Sequence, residues 1–162
     1  MKRFIFLLAL SLTVGVFPSA QAVQIVIDRY ATIDYANKVK LNKTGCQNIP
    51  FKFVTDDDLA RENTFFFIAI TPNESKRVYG YAAWFSTQTS LGDKAHPPMA
   101  RIGVLQVKVC RKAFMYAPSS TTLTLAAKPG TYTVYFNAGT TDPVTGAVVG
   151  EKIEIKRFIK FY

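Results

Sequence analysis

Few residues in this chain have the chemistry of a catalyst. His96 is the only histidine, so a serine or cysteine nucleophile activated by histidine would have to use it. It lies beside Pro97 and Pro98, and the chain has neither a Gly-x-Ser-x-Gly nucleophile turn nor a glycine-rich phosphate loop. A solvated loop histidine is the favoured interpretation, and the sequence predicts that the protein is not an enzyme.

One dense acidic cluster could hold a hard cation. Asp56, Asp57 and Asp58 are consecutive and Glu62 follows, and calcium accepts carboxylate ligands at such density. The spacing does not match the Asp-x-Asp-x-Asp-Gly calcium loop, and acids are also favoured in the first turn of a helix. Because residues 56–61 are the only plausible helical segment, capping or a solvated turn is favoured, and no metal or cofactor is predicted.

Residues 1–22 have the pattern of a secretory signal. A basic start precedes an apolar run over residues 4–17, and Ala20-Gln21-Ala22 supplies the small residues of a cleavage site. The run is shorter than the ~20 apolar residues that span a bilayer, so cleavage is favoured over a retained anchor. The expected mature chain is one domain, residues 23–162, secreted or periplasmic and without a transmembrane span.

Cys46 and Cys110 predict one disulfide, because an even pair of cysteines in an exported protein usually oxidises. A metal or redox pair would need neighbouring ligands or Cys-x-x-Cys spacing, and the sequence has neither. Alternation puts Cys110 on the more polar face of its strand, so the bond is expected to hold an outer segment rather than fill the core.

Basic and aromatic residues suggest where the protein binds. The net charge is +9, or +7 without the two basic residues of the signal, and a basic exported protein attracts anionic partners. If the first and last strands are neighbours, lysines on their polar faces form a stripe with Phe158 and Tyr162, suited to an anionic glycan or nucleic acid. The alternative is a solvated edge that resists aggregation. The lysines on the polar faces of the predicted strands are Lys38, Lys40, Lys108, Lys152, Lys156 and Lys160, and some of these would form the stripe.

Tyrosines could stack on sugar rings or bases. Tyr79, Tyr135 and Tyr162 are predicted to be exposed and are the aromatic candidates for a binding site, together with Lys152, Lys156 and Lys160 among the lysines. Core packing is the favoured role of the other aromatics on strands, which are Phe65, Phe66, Phe67, Tyr81, Trp84 and Phe85.

The dominant period along residues 23–162 is two, which is typical of β-strands. It predicts strands at the start of the mature chain, around residues 49–53, over 64–71, 78–86 and 102–110, and through the last third of the chain. The strand over 64–71 is apolar on both faces and is expected to be central, covered on both sides, and in a hairpin with 78–86. Residues 87–100 and 137–150 are predicted loops, and Arg157 marks a bulge or an exposed end in the last strand.

The segment 123–134, LTLAAKPGTYTV, resembles the late strands of immunoglobulin-like domains. In that superfamily a Gly-x-Tyr stretch enters the penultimate strand and the tyrosine hydroxyl bonds back into the preceding corner, a role that falls here to Tyr132. Val134 stands where antibody domains have cysteine, so this is not an antibody-type domain. The resemblance implies an all-β, antiparallel immunoglobulin-like β-sandwich.

Alternation after Pro129-Gly130 tests that fold. Tyr132, Val134 and Phe136 are expected to be buried, with Thr133 and Tyr135 more exposed.

The preferred functional hypothesis is an exported, non-catalytic binding module for a protein or an anionic envelope or glycan surface, with nucleic acid less favoured. One alternative is a subunit or assembly partner of a surface fibre built by strand donation. Another is a secreted inhibitor or toxin-neutralising protein.

Overall fold

The structure, a computed structural model, describes residues 22–28, 30–55, 64–72, 77–85, 102–115, 123–142, 145 and 147–162. All nine regular elements in these ranges are β-strands, which confirms the all-β prediction. In chain order they are β1 Ala22–Ile27, β2 Ala31–Ala36, β3 Lys38–Val39, β4 Cys46–Thr55, β5 Thr64–Thr71, β6 Gly80–Phe85, β7 Ile102–Cys110, β8 Gly130–Thr141 and β9 Val148–Phe161.

The strands form two sheets. The first has the order β1-β2-β4-β7 and the second the order β3-β9-β8-β5-β6. All pairs are antiparallel except β3 with β9, which is parallel. The chain changes sheets at a bend at Asn37, so the segment 31–39 contributes β2 to one sheet and β3 to the other.

The core lies between the two sheets, as period-two alternation predicts. Ring contacts cross the interface, with centroids 5.6 Å apart for Tyr35 and Phe136 and 5.2 Å apart for Phe53 and Phe66. Six inward apolar side chains of β4 and β7 are at most 4 % exposed; they are Ile49, Phe51, Phe53, Leu105, Val107 and Val109. Two sheets that bury alternate residues against each other form a β-sandwich-like fold.

The predicted disulfide is confirmed. Cys46 and Cys110 are bonded across a chain separation of 64 residues and face each other directly in the β4–β7 ladder. Cys46 is exposed and Cys110 is buried. Because Cys46 begins β4 and Cys110 ends β7, the bond joins the ends of two neighbouring strands of one sheet. Such a bond is compatible with an oxidising compartment.

The hairpin of β5 and β6 is confirmed, and β5 is central between β8 and β6. The prediction that both faces of β5 are covered is wrong for part of the strand. Phe66 is buried between the sheets, whereas Phe65 and Phe67 on the other face are only half-buried. Those two rings lie on the surface of the second sheet that faces away from the core.

The alternation predicted for β8 places its side chains on the correct faces of the sheet, but the predicted exposure of three of them is wrong. Val134 and Phe136 are completely buried, but Tyr132 is half-buried, and Thr133 and Tyr135 are each only 8 % exposed. Both faces of β8 are therefore covered over this stretch. The Tyr132 hydroxyl does donate a hydrogen bond to the Lys128 carbonyl oxygen, at 2.8 Å, as expected for the tyrosine at this corner.

Three other sequence interpretations need correction. The predicted 137–150 loop is much shorter, because β8 continues to Thr141 and β9 begins at Val148. Arg157 is exposed near the end of β9 but is not at a bulge, because the pairing of β8 with β9 runs evenly through it and is irregular between Ala138 and Thr140 instead. The strand β2 was not predicted, and it is β3 rather than the first strand that lies beside β9.

Several predictions fall outside the described residues. They are residues 1–21 of the predicted signal 1–22, the helical and acidic segment 56–62, His96, and the loop 87–100.

Candidate functional site

Two surfaces on the second sheet combine residues suited to binding. The first is a group of basic and aromatic side chains where β3 meets the end of β9, here called the lysine corner: Lys38, Lys40, Phe158, Lys160 and Tyr162. The second is a cavity further along the same sheet face, here called the outer cleft, whose residues are given below.

Backbone pairing creates the lysine corner. The Lys160 amide donates to the Asn37 carbonyl at 2.7 Å, and the Leu41 amide donates to the Tyr162 carbonyl at 2.9 Å. These bonds hold the parallel register in which Lys38 is the direct neighbour of Lys160. Directly neighbouring side chains of two strands lie on the same side of a sheet, so Lys38 and Lys160 extend from the same face of the second sheet.

The lysine corner is open to solvent and positively charged. Its three lysines are exposed, and Phe158 and Tyr162 are 67 % and 59 % exposed. Among the residues that the structure describes, no carboxylate forms an ion pair with Lys38, Lys40 or Lys160. Neighbouring like charges disfavour the pairing that brings them together, and a bound anion would remove that cost.

The register of the second sheet also builds the outer cleft. One row across its outward face contains Tyr81, Ala69, Tyr135 and Lys156, from β6, β5, β8 and β9. The next row contains Ala83, Phe67, Asn137 and Glu154 in the same strand order. Because Ala69 is small and lies between two tyrosines, the face has a depression at its centre.

This depression is part of a cavity of about 470 Å³. Such a volume lies within the range of small-molecule sites. The residues that line it are Phe67, Ala69, Thr71, Val78, Tyr135, Asn137, Glu154 and Lys156.

Asn137 contributes an unsatisfied acceptor to the outer cleft. The side chain is 7 % exposed, and its Oδ1 is buried without a hydrogen-bond partner. A buried polar group left unpaired costs about 1–3 kcal/mol, and most buried polar atoms in proteins are paired. Because Asn137 also lines the cavity, a ligand bound there that reached Oδ1 would supply the missing donor.

The charged residues of the outer cleft neutralise each other. The Lys156 ammonium lies 3.4 Å from the Glu154 carboxylate and 5.1 Å from the centre of the Tyr135 ring. Both side chains of the ion pair are about half exposed, so its contribution to stability is small. Its main consequence is local: the described residues that line the cleft carry no net charge.

The six candidates chosen from the sequence fall in different places. Lys160 and Tyr162 belong to the lysine corner, and Lys156 and Tyr135 meet in the outer cleft. Lys152 is exposed near the other end of β9. The prediction that Tyr79 and Tyr135 are exposed is wrong, because Tyr79 is half-buried and Tyr135 is buried.

Tyr79 belongs to a structural cluster. Its ring lies 4.3 Å from that of Tyr132, and Tyr132 in turn lies 5.2 Å from Phe161. Burial raises the pKa of the Tyr79 phenol, and the neighbouring Tyr132 raises it further through charge and a hydrogen bond. The Tyr132 hydroxyl in turn donates a hydrogen bond to the Lys128 carbonyl oxygen. The cluster therefore fixes the corner of the chain before β8.

Tyr35 connects the two sheets. Its hydroxyl donates to the Phe158 carbonyl at 3.1 Å, and its ring stacks on Phe51 at 5.2 Å. Burial raises the pKa of the Tyr35 phenol, and the Arg157 guanidinium partly opposes that rise. This hydrogen bond holds the backbone of β9 at Phe158, which belongs to the lysine corner.

Apolar residues occupy the opposite side of the molecule. Val26, Val54 and Ile102 are 64 %, 50 % and 71 % exposed, and the strand register places them in one row across the first sheet, with Thr32 between the two valines. This row is separate from both candidate surfaces, because it lies on the outward face of the other sheet.

No protein-family model, curated protein or solved structure significantly matches the chain. Within the described ranges, no three histidine, cysteine, aspartate or glutamate residues are arranged to hold a metal ion. The same ranges contain no helix that is long and apolar enough to cross a bilayer.

The sequence interpretation missed the residues at the centre of the outer cleft. The predicted loop 137–150 includes Asn137, and core packing is the predicted role of Phe67. A usable signal existed: Val134, Phe136 and Ala138 continue the inward apolar alternation past residue 137, which predicts a longer β8 and puts Asn137 on its outward face.

Proposed function

We propose that this chain is an exported, non-catalytic binding protein that holds an anionic glycan at its lysine corner. The observation that carries the proposal is the parallel pairing of β3 with β9, which makes Lys38 and Lys160 neighbours beside two exposed aromatic rings. Sulfate or carboxylate groups would pair with the ammonium groups, and the rings of Phe158 and Tyr162 would contact the apolar faces of the sugars.

The alternative explanation of the lysines is that they protect a sheet edge from aggregation. That explanation accounts for charge on Lys38 and Lys40 at the edge strand. It gives no reason for the large apolar exposure of Phe158 and Tyr162, since exposed rings favour association rather than prevent it. The combination of rings with cations therefore favours a binding surface.

The test is the affinity of the folded, disulfide-bonded protein for heparin and polygalacturonate, with dextran as the uncharged comparison. A variant with K38Q, K40Q and K160Q is expected to lose roughly 100-fold in affinity, because each lysine near an anionic surface contributes about 1 kcal/mol. Binding of the unsubstituted protein should weaken with added salt, since exposed charges are screened.

The matched control carries K52Q, K108Q and K112Q. These lysines are also exposed, lie on or next to the first sheet, and give the same change of net charge. Equal losses in both variants would mean that only net charge matters, and would refute the lysine corner. Equal affinity for single-stranded DNA or phosphatidylserine vesicles would refute a preference for glycans.

Export is part of the proposal. It is supported by the apolar start of the chain and by the confirmed disulfide. Mass spectrometry of the exported protein is expected to find Val23 at the N-terminus, whereas a retained Met1 would contradict cleavage.

We also propose that the domain is immunoglobulin-like. Immunoglobulin domains have strands B and E adjacent in one sheet and strands C, F and G adjacent in the other. Here β4 and β7 correspond to B and E, and β5, β8 and β9 correspond to C, F and G. The additional strand β6 lies beside β5. The Tyr132 hydroxyl bond supports the same assignment. The disulfide differs from the antibody pattern, because it joins neighbours in one sheet instead of linking the two sheets. An experimentally determined structure in which β5 and β8 are not neighbours would refute this assignment.

A further inference from the structure

We propose that the outer cleft is a second, separate binding site, which takes one neutral sugar ring. This site goes beyond the proposed function and does not depend on it. The lysine corner selects negative charge, whereas the outer cleft is built from an unpaired acceptor, aromatic walls and a neutralised ion pair.

The unpaired acceptor calls for a ligand with a hydrogen-bond donor. Asn137 lines a cavity of about 470 Å³, and its side-chain Oδ1 is buried without a hydrogen-bond partner. A hydroxyl group of a ligand would satisfy it, and so would an N–H group. Groups that only accept, such as a carboxylate or a phosphate, would leave it unpaired.

The aromatic walls of the outer cleft favour a ligand that also has an apolar face. Phe67 and Tyr135 line the cavity on either side of Ala69 and Asn137, and Tyr81 lies 5.5 Å from Phe67. Aromatic walls with a few convergent polar groups are typical of small-molecule sites. A pyranose combines both requirements, since its C–H groups contact aromatic rings while its hydroxyl groups donate.

Charge selects a neutral sugar over an acidic one. Among the described residues that line the cavity, Glu154 and Lys156 are the only charged ones, and their charged groups are 3.4 Å apart. The Lys156 ammonium is already engaged by this carboxylate and by the Tyr135 ring. The Glu154 carboxylate remains able to accept from further sugar hydroxyl groups, because a carboxylate has about four acceptor positions.

The experiment is a titration of the folded protein with glucose, galactose, mannose and N-acetylglucosamine, followed by nuclear magnetic resonance, with glucuronic acid as the acidic comparison. At least one neutral sugar is expected to bind saturably with a Kd on the order of millimolar, as expected for so small a ligand. The shifted signals should include the side chains of Asn137, Phe67 and Tyr135.

The deciding variant is Asn137→Leu, which removes the acceptor while keeping a side chain of similar size. It is expected to weaken binding at least tenfold while the protein melts at the same or a higher temperature, because an unpaired buried amide is lost. Asn37→Leu is the matched control, since its Oδ1 is also buried without a partner but does not line the cavity. That control should bind the sugar unchanged.

A second variant covers the case in which Asn137→Leu does not fold. Glu154→Gln keeps the shape of the exposed rim residue and should weaken sugar binding several-fold, because a neutral amide accepts less strongly than a carboxylate. The triple variant with K38Q, K40Q and K160Q should bind the neutral sugar normally, so failure at the lysine corner is distinguishable from failure here.

Absence of saturable binding by all four neutral sugars would overturn the proposal. So would stronger binding of glucuronic acid, or unchanged sugar binding by a folded Asn137→Leu.

Discussion

Replacing Phe136 with alanine tests whether the two sheets share one rigid core. The ring is completely buried and reaches Tyr35 and Phe51 of the first sheet, with centroids 5.6 Å and 6.1 Å away. Its own strand is paired on both sides, with β5 and β9. Because ladders hold both edges of β8, we expect the cavity to collapse only partially and the free energy of unfolding to fall by about 4 kcal/mol, within the range for Phe→Ala.

Urea denaturation of the oxidised protein, followed by tryptophan fluorescence, measures this loss. Trp84 is the only tryptophan and is 3 % exposed, so its emission reports the loss of the core. With a slope of about 2 kcal/mol per molar urea, the unfolding midpoint should fall by roughly 2 M while the slope stays unchanged. Phe158→Ala is the control, because that ring is on the outward face and 67 % exposed; its midpoint should hardly move.

Equal shifts for the two variants would refute the assignment of faces in this sheet. A shift of less than about 0.5 M for Phe136→Ala would show that the ring does not connect two rigid layers, since packed cores respond strongly to lost volume.

Three further predictions follow from particular contacts. Replacing both cysteines with serine should lower the free energy of unfolding by about 4 kcal/mol on the chain-entropy model, because the bond closes a separation of 64 residues; a loss below about 1 kcal/mol in urea denaturation would contradict it. Gly80→Ala should destabilise by about 1–3 kcal/mol, because a Cβ there would meet the Lys108 carbonyl oxygen of β7; an unchanged melting temperature would show that β6 and β7 are not in contact. Burial raises the pKa of the Tyr35 phenol above its ordinary value of 10.0. The folded state therefore binds this proton more tightly than the unfolded state does. The resulting contribution to the free energy of unfolding is present below pH 10 and is lost as the pH rises above 10. The pKa of Tyr79 is raised as well, so titration of tyrosinate absorbance should show one late-titrating group fewer in Tyr35→Phe than in the unsubstituted protein. Identical titrations for the two proteins would count against this prediction.

Much of the strand pattern could be predicted from local sequence, because side chains alternate strictly between the two faces of a strand. This rule placed Phe51 and Phe53 correctly on one face of β4, and Val134 and Phe136 on one face of β8. It failed for β8 where the outward face is also covered, as Thr133 and Tyr135 show. Alternation states which residues share a face, but it does not state whether that face meets solvent.

The candidate surfaces were predictable only in part. Lysines on the outward positions of β9 were evident from the sequence, and so were Phe158 and Tyr162 beside them. That Lys38 is their neighbour depends on the bend at Asn37, where the chain leaves one sheet and joins the other in parallel with β9. Nothing in the residues 31–39 alone specifies a partner more than a hundred positions away.

The sequence by itself determined the disulfide, since two cysteines permit a single intramolecular bond, and it determined the inward faces of the main strands through their period of two. Only the tertiary structure decided that Tyr81, Ala69, Tyr135 and Lys156 form one row beside Phe67, Asn137 and Glu154. The physical reason is that such a row depends on the register between strands far apart in the chain. Register is set by how the whole sandwich packs, and a shift of one residue would move every one of these side chains to the other face.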